Sequence, residues 1–271
     1  MRRTSVRHAP VRRAAAVASA LSLAVLLSAC GGSDSSDEKK DEKKVDAAQP
    51  SQEGHEGHEG HADPAAKALT QPELEKLVVT KADLPRHLIS NASLADMNAG
   101  KSAKADKPEC GPLVGALALR GVGEPAATVT RKAVPIGADP AKDATAEEKA
   151  LAGVNALKAT VTSTTLASYD GKGASEQFAA VKKAGADCAG GFTLNAGADK
   201  MPFTKITNGS YTGGDESAAF TVHADMGGQP GQMHVVAVRK GTTLATFYAM
   251  SLGGTAEFPK QLIDTQVKKL G

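Results

Sequence analysis

Between residues 68 and 271 the hydrophobic positions switch repeatedly between a helical and a strand-like period. Thr70-Gln71-Pro72-Glu73 combines an N-cap threonine, a first-turn proline and a glutamate three residues on, which together start a helix. Leu74, Leu77 and Val78 then share one face, and Asp83-Leu84-Pro85 predicts an end near Ala82. Residues 87–93 predict a first strand, and the polar run 98–108 a surface loop. The short apolar segment 110–119 predicts a buried helix after Pro112. Residues 127–134 and 159–169 are rich in Val and Thr and read as strands. Thr145 and the Glu147-Glu148 pair open a helix over 145–158. Residues 175–188 form the clearest interior helix, packing through Phe178, Ala180, Val181 and Ala184.

The last third is a succession of strands at 192–196, 203–208, 216–226, 233–240 and 242–251, separated by glycine-rich turns. Short turns demand antiparallel neighbours. An amphipathic helix closes the chain over 258–270, with Phe258, Leu262, Ile263, Val267 and Leu270 near one face. The pattern predicts an α+β fold: an antiparallel sheet packed by helices on one face, in one domain (68–271) that follows a disordered tether.

Upstream the pattern changes. Residues 1–29 carry five arginines and no acidic residue, then an alanine-rich apolar stretch of about 14 residues. That is shorter than the roughly 20 needed to span a bilayer, and the layout is that of an export signal peptide. Leu27-Ser28-Ala29-Cys30 resembles the bacterial lipobox, in which the cysteine sulfur is acylated and becomes the first mature residue. The resemblance implies a palmitate-type lipid anchor at Cys30. It places the protein at the outer face of the cytoplasmic membrane, facing the cell envelope, with membrane lipid as its first partner. Residues 30–67 have almost no apolar side chains, so nothing offsets the entropy of ordering them. As a flexible coil they would span roughly 30–37 Å.

The signal holds five of the 32 basic residues, so the mature chain is near −3 rather than the +2 of the whole sequence. That balance leaves no electrostatic footprint for nucleic acid. The absence of Trp, with only six Phe and three Tyr, weakens a sugar- or base-stacking surface. With Cys30 lipidated, Cys110 and Cys188 remain. In an exported chain they predict a disulfide, worth on the order of 4 kcal/mol by loop entropy; the alternative is two buried free thiols.

Within the tether, Glu53-Gly54-His55-Glu56-Gly57-His58-Glu59-Gly60-His61 places three histidines at every third residue. Imidazoles at that density suit Zn or Cu, so His55, His58 and His61 are candidate metal ligands; otherwise no cofactor is expected. A polar spacer with incidental histidines is the alternative. No nucleophile elbow, His-Glu-x-x-His helix, phosphate loop or dinucleotide fingerprint occurs, and no catalytic residue is assigned. His223, Asp225 and His234 flank the glycine turn 227–231. A turn centred on Gln229 would put His234 on the opposite sheet face from the other two. His87, after Pro85-Arg86, reads as a surface side chain.

The Leu69-Thr70-Gln71-Pro72-Glu73 helix leading to Asp83-Leu84-Pro85, the Cys110 motif, the helix from Phe178 to Cys188 and the terminal meander together resemble the extracellular sensor domain of PknH-type actinobacterial serine/threonine kinases. The same domain occurs in related lipoproteins. The resemblance covers roughly 68–271 and implies a cleft that binds an extracellular ligand. That family typically has two disulfides, and this chain can form one. No kinase domain is present, so any output would require a separate signalling protein. The expected function is a membrane-anchored, extracytoplasmic, non-enzymatic ligand-binding or sensor module. Its alternatives are a metal-binding lipoprotein using the His-rich tether, and an envelope enzyme with an unrecognised site.

Overall fold

The computed structural model describes residues 65–137 and 140–271. In chain order these form α1 (Gln71–Leu77), β1 (His87–Asn91), α2 (Leu94–Ser102), β2 (Lys104–Ala105), α3 (Gly111–Leu117), β3 (Ala127–Pro135), α4 (Ala146–Leu157) and β4 (Val161–Ser168). Then follow α5 (Gly173–Asp187), β5 (Phe192–Ala196), β6 (Asp199–Asn208), β7 (Glu216–Asp225), β8 (Pro230–Lys240), β9 (Thr243–Met250) and α6 (Lys260–Leu270). The nine strands make one antiparallel sheet in the order β1-β3-β4-β9-β8-β7-β6-β5-β2. The class is α+β.

Helices cover both faces of this sheet, where one covered face was expected. On one side, Met233, Val235 and Ala237 of β8 and Leu244 of β9 pack with Phe178 and Val181 of α5 and with Leu113 and Val114 of α3. On the other, Val236 and Val238 of β8 and Phe247 of β9 pack with Leu74 of α1 and Leu262 and Ile263 of α6. The physical reason lies in β8. Its run Val235-Val236-Ala237-Val238 does not alternate, and a strand apolar on both sides must be buried on both sides. Each fully buried Leu, Ile or Phe contributes about 1.5–3 kcal/mol, so neither layer is marginal.

Cys110 and Cys188 are bonded, with Cα atoms 5.9 Å apart and 78 positions of sequence between them. The bond joins the 3-10 turn Pro108–Cys110 that leads into α3 to the C-cap of α5. It ties together the two helices of one face. On that face α5 rides close to β7: a Cβ added at Gly185 would sit 2.1 Å from the ring of Phe220.

Several elements differ from the sequence expectation. Residues 98–108 are not a loop throughout, since α2 extends to Ser102. Its start is a capping box in which the Ser93 hydroxyl accepts the Asp96 N–H (3.1 Å) and the Asp96 carboxylate accepts the Ser93 N–H (2.9 Å). Asp96 also pairs with Lys132 of β3 at 3.0 Å, so tertiary contacts override the weak propensity of Asn98 and Gly100. The first helix ends at Leu77 instead of near Ala82. Gln266 of α6, wholly buried, donates to the Leu77 carbonyl (2.8 Å) and accepts the Val79 N–H (2.9 Å). Lys269 donates to the Val78 carbonyl at 3.0 Å and pairs with Asp83 at 2.5 Å. Val78 and Val79 are therefore drawn into the core as extended chain, and α6 is fixed by polar bonds as well as by packing.

Candidate functional site

A cavity of about 440 Å³ opens where the start of α6 meets the ends of β1, β3 and β4. Its floor comes from β4 and the residue before it. Thr162 points to the same face as Leu166 and is 3% exposed, and the hydroxyl of Thr160 accepts the Glu257 N–H at 2.8 Å. Arg86 and His87 enter at the start of β1, and Pro135 and Ile136 at the end of β3. The Ile136 N–H donates to the Arg86 carbonyl at 2.8 Å, which fixes these two edges together. The remaining wall is the segment from Glu257 to Leu262.

That last segment is held from behind by the buried imidazole of His234. Its Nε2 lies 3.1 Å from the Ala256 carbonyl. A carbonyl only accepts, so Nε2 carries the proton. Burial pushes the His234 pKa down, the carbonyl bond raises it, and the nearby His223 lowers it. The ring of Phe258 meets His234 edge-on at 5.4 Å and lies 6.4 Å from Tyr211. Tyr211 in turn donates to Asp264 at 3.2 Å. Burial, reinforced by that carboxylate, pushes the Tyr211 hydroxyl up to about 12.

The helix that starts here has no cap. Pro259 occupies the N-cap position and supplies no side-chain acceptor, and no acidic residue stands in the first turn. The Ile263 N–H donates to the Pro259 carbonyl and the Lys260 N–H to the Phe258 carbonyl. The N–H groups of Gln261 and Leu262 have no such partner among the described residues. Unsatisfied N–H groups at a helix start carry partial positive charge and favour an anion. Arg86 adds a guanidinium that forms no ion pair among the described residues, and Lys260 adds an ammonium shared with Asp264 at 2.6 Å. Glu257, exposed at the rim, is the opposing charge.

Two polar side chains of the pocket are unsatisfied. The Thr162 hydroxyl makes no hydrogen bond among the described residues. The Nδ1 of His87 is cut off from solvent and has no partner among the described residues. Leaving such a sealed group unpaired costs about 1–3 kcal/mol, a cost borne by the His87 Nδ1; the Thr162 hydroxyl is not sealed from solvent in this way. Burial pushes the His87 pKa down, so the ring presents a neutral wall at pH 7. His87 is thus half-buried and lines the cavity, contrary to its reading as a surface side chain. No hydroxyl of the pocket is hydrogen-bonded to a histidine or carboxylate side chain among the described residues.

The glycine turn also differs. Asp225 pairs with Pro230 and Thr221 with His234, so the turn is centred between Gly227 and Gly228 instead of on Gln229. The odd shift in pairing moves His234 onto the face of His223 and Asp225. Two of the three are nonetheless engaged in structure. His234 holds Ala256, and the Asp225 carboxylate accepts the Gly228 N–H at 2.5 Å. Among the described residues, no group of three His, Cys, Asp or Glu is arranged to hold a metal ion. Cys30, His55, His58 and His61 lie outside the described residues. No described helix is long and apolar enough to cross a membrane.

Sequence reasoning missed the pocket because it joins four segments, from Arg86 to Leu262, that share no local pattern. The one available signal was the start of α6, where Glu257-Phe258-Pro259-Lys260 supplies no Ser, Thr, Asp or Asn at the cap.

No protein-family model matches the chain, and no curated protein matches it. Among solved structures, the chain is similar to the extracellular domain of PknH from Mycobacterium tuberculosis, with 10% sequence identity and a TM-score of 0.45, over 78% of this chain and 97% of that one.

Proposed function

We propose that this chain is a lipid-anchored, extracytoplasmic binding module that takes a small ligand into the pocket at the start of α6 and leaves it chemically unchanged. The observation that carries the reading is the pocket itself. It pairs a concave, partly apolar wall with a few convergent polar groups, the usual makeup of a small-molecule site. No nucleophile in it is joined to a base. Cys30 supplies the anchor through its lipobox-like context, residues 30–67 the tether, and a separate signalling protein the output. Pairing of Cys110 with Cys188 suits an oxidising compartment.

The test is a thermal-shift screen of the full-length protein, purified from membranes, against a panel of small molecules. Hits are re-examined by mass spectrometry after incubation. Saturable stabilisation that is lost in Ile136→Trp, which fills the pocket, is the expected result. Conversion of the ligand to a product would overturn the non-enzymatic assignment. Stabilisation indifferent to Ile136→Trp would overturn the site.

A second reading rests on the Glu-Gly-His repeat: His55, His58 and His61 bind Zn or Cu. Calorimetry with ZnCl2 or CuCl2 on the full chain should show binding that disappears when all three are changed to alanine. An unchanged titration curve would dispose of it.

A further inference from the structure

The chemistry of the pocket walls narrows the ligand class. We infer that the pocket takes a small monoanionic carboxylate with an apolar body, its carboxylate seated on the uncapped start of α6; the inference rests on the proposed binding role of this pocket. Four groups belong to residues that line the pocket at that end. The N–H groups of Gln261 and Leu262 are unpartnered among the described residues. The Arg86 guanidinium forms no ion pair there, and its planar fork matches a carboxylate. The Thr162 hydroxyl, on a residue 97% buried by its 3% exposure, lines the cavity without a hydrogen bond. A hydroxyl on the cavity wall that makes no bond to the described residues can donate to an acceptor that enters the pocket.

The rest of the wall sets the remaining properties. Pro135, Ile136 and Phe258 give an apolar surface, which suits a hydrocarbon or aromatic body. Glu257 at the rim and Asp264 on Lys260 limit the local positive charge. A dianion such as a phosphomonoester would meet more repulsion than a carboxylate does. The cavity of about 440 Å³ also fits within the range of small-ligand sites.

Octanoate, octanol, octylamine and octyl phosphate share one chain and differ in head group. Each is titrated calorimetrically into the full-length protein. Octanoate should bind at least about tenfold more tightly than octanol, a difference of about 1.4 kcal/mol, and octylamine should not bind. Arg86→Gln and Thr162→Val should each weaken octanoate and leave octanol unchanged, with circular dichroism verifying that both variants fold. Octanol binding as tightly as octanoate would overturn the inference and leave a merely apolar pocket. Tighter binding of octyl phosphate would overturn the carboxylate class in favour of phosphate. Binding of octylamine alone would overturn the charge assignment while the binding module stands. If no octyl compound binds and the wider screen finds no ligand whose effect Ile136→Trp abolishes, the pocket reading itself falls.

Discussion

Gln266→Leu tests what places α6, and therefore what forms the pocket. The substitution keeps the side-chain volume close and removes both of its hydrogen bonds. The Val79 N–H loses its acceptor and the Leu77 carbonyl loses its donor. Val79 is wholly buried, so its N–H cannot turn to water. At about 1–3 kcal/mol for each orphaned group, the gross loss is roughly 2–6 kcal/mol. Burying a leucine in place of an amide returns part of it, and about 2–4 kcal/mol is expected. For a domain of about 200 residues each kcal/mol shifts Tm by roughly 2–4 °C, which gives a fall of roughly 4–16 °C. Urea denaturation of the full-length chain, followed by circular dichroism, measures the loss. A variant within about 0.5 kcal/mol of the parent, the usual range for inconsequential surface changes, would refute the reasoning. It would mean that the packing of Leu262 and Ile263 and the Lys269 bonds suffice to hold the helix.

Three other outcomes are expected. Changing Cys110 and Cys188 together to serine should cost on the order of 4 kcal/mol, read by the same denaturation, with no further effect of reductant on the variant. Gly185→Ala should cost about 1–3 kcal/mol through overpacking, because its Cβ would lie 2.1 Å from the Phe220 ring; an unchanged midpoint would show that α5 can slide. The third concerns pH. The folded pKa of His234 is depressed below the unfolded value of 6.5, so the unfolded chain binds the proton first. The stability it supports is complete above about 6.5 and declines as pH falls towards the lower folded value. The slope is at most about 1.4 kcal/mol per pH unit for this group. His87 acts in the same direction. His234→Gln should flatten the profile between pH 6.5 and 5; an identical slope in that variant would place the titration elsewhere.

Much of the fold is legible where a local signal has a local cause. The capping boxes of α1 and α4 put Thr70 three residues before Glu73 and Thr145 three before Glu148, and both helices start there. Strands β5, β7 and β9 sit close to their predicted ranges because glycine turns delimit them. Cys110 and Cys188 are bonded, as the sequence reading expects. The misses have long-range causes. The end of α1 is set by Gln266, which lies 187 positions after Val79. The register of β7 and β8 depends on which residues of a glycine-rich turn take positive φ, and Gly227 and Gly228 do so. Ser93 and Asp96 carry the same spacing as Thr70 and Glu73, but the polar run after them hides it. The pocket is the extreme case. Thr162, Arg86 and Leu262 acquire a common meaning only when β1, β3 and β4 are side by side.

The central claim is that the start of α6 is where this protein meets its ligand. Hydrogen-exchange mass spectrometry of the full-length protein, with and without saturating octanoate, tests it most directly. Slower exchange confined to the peptides covering 86–87, 135–137, 160–162 and 257–263 is predicted, strongest at the amides of Gln261 and Leu262. Protection centred on any other part of the sheet, with the start of α6 unchanged, would contradict the account.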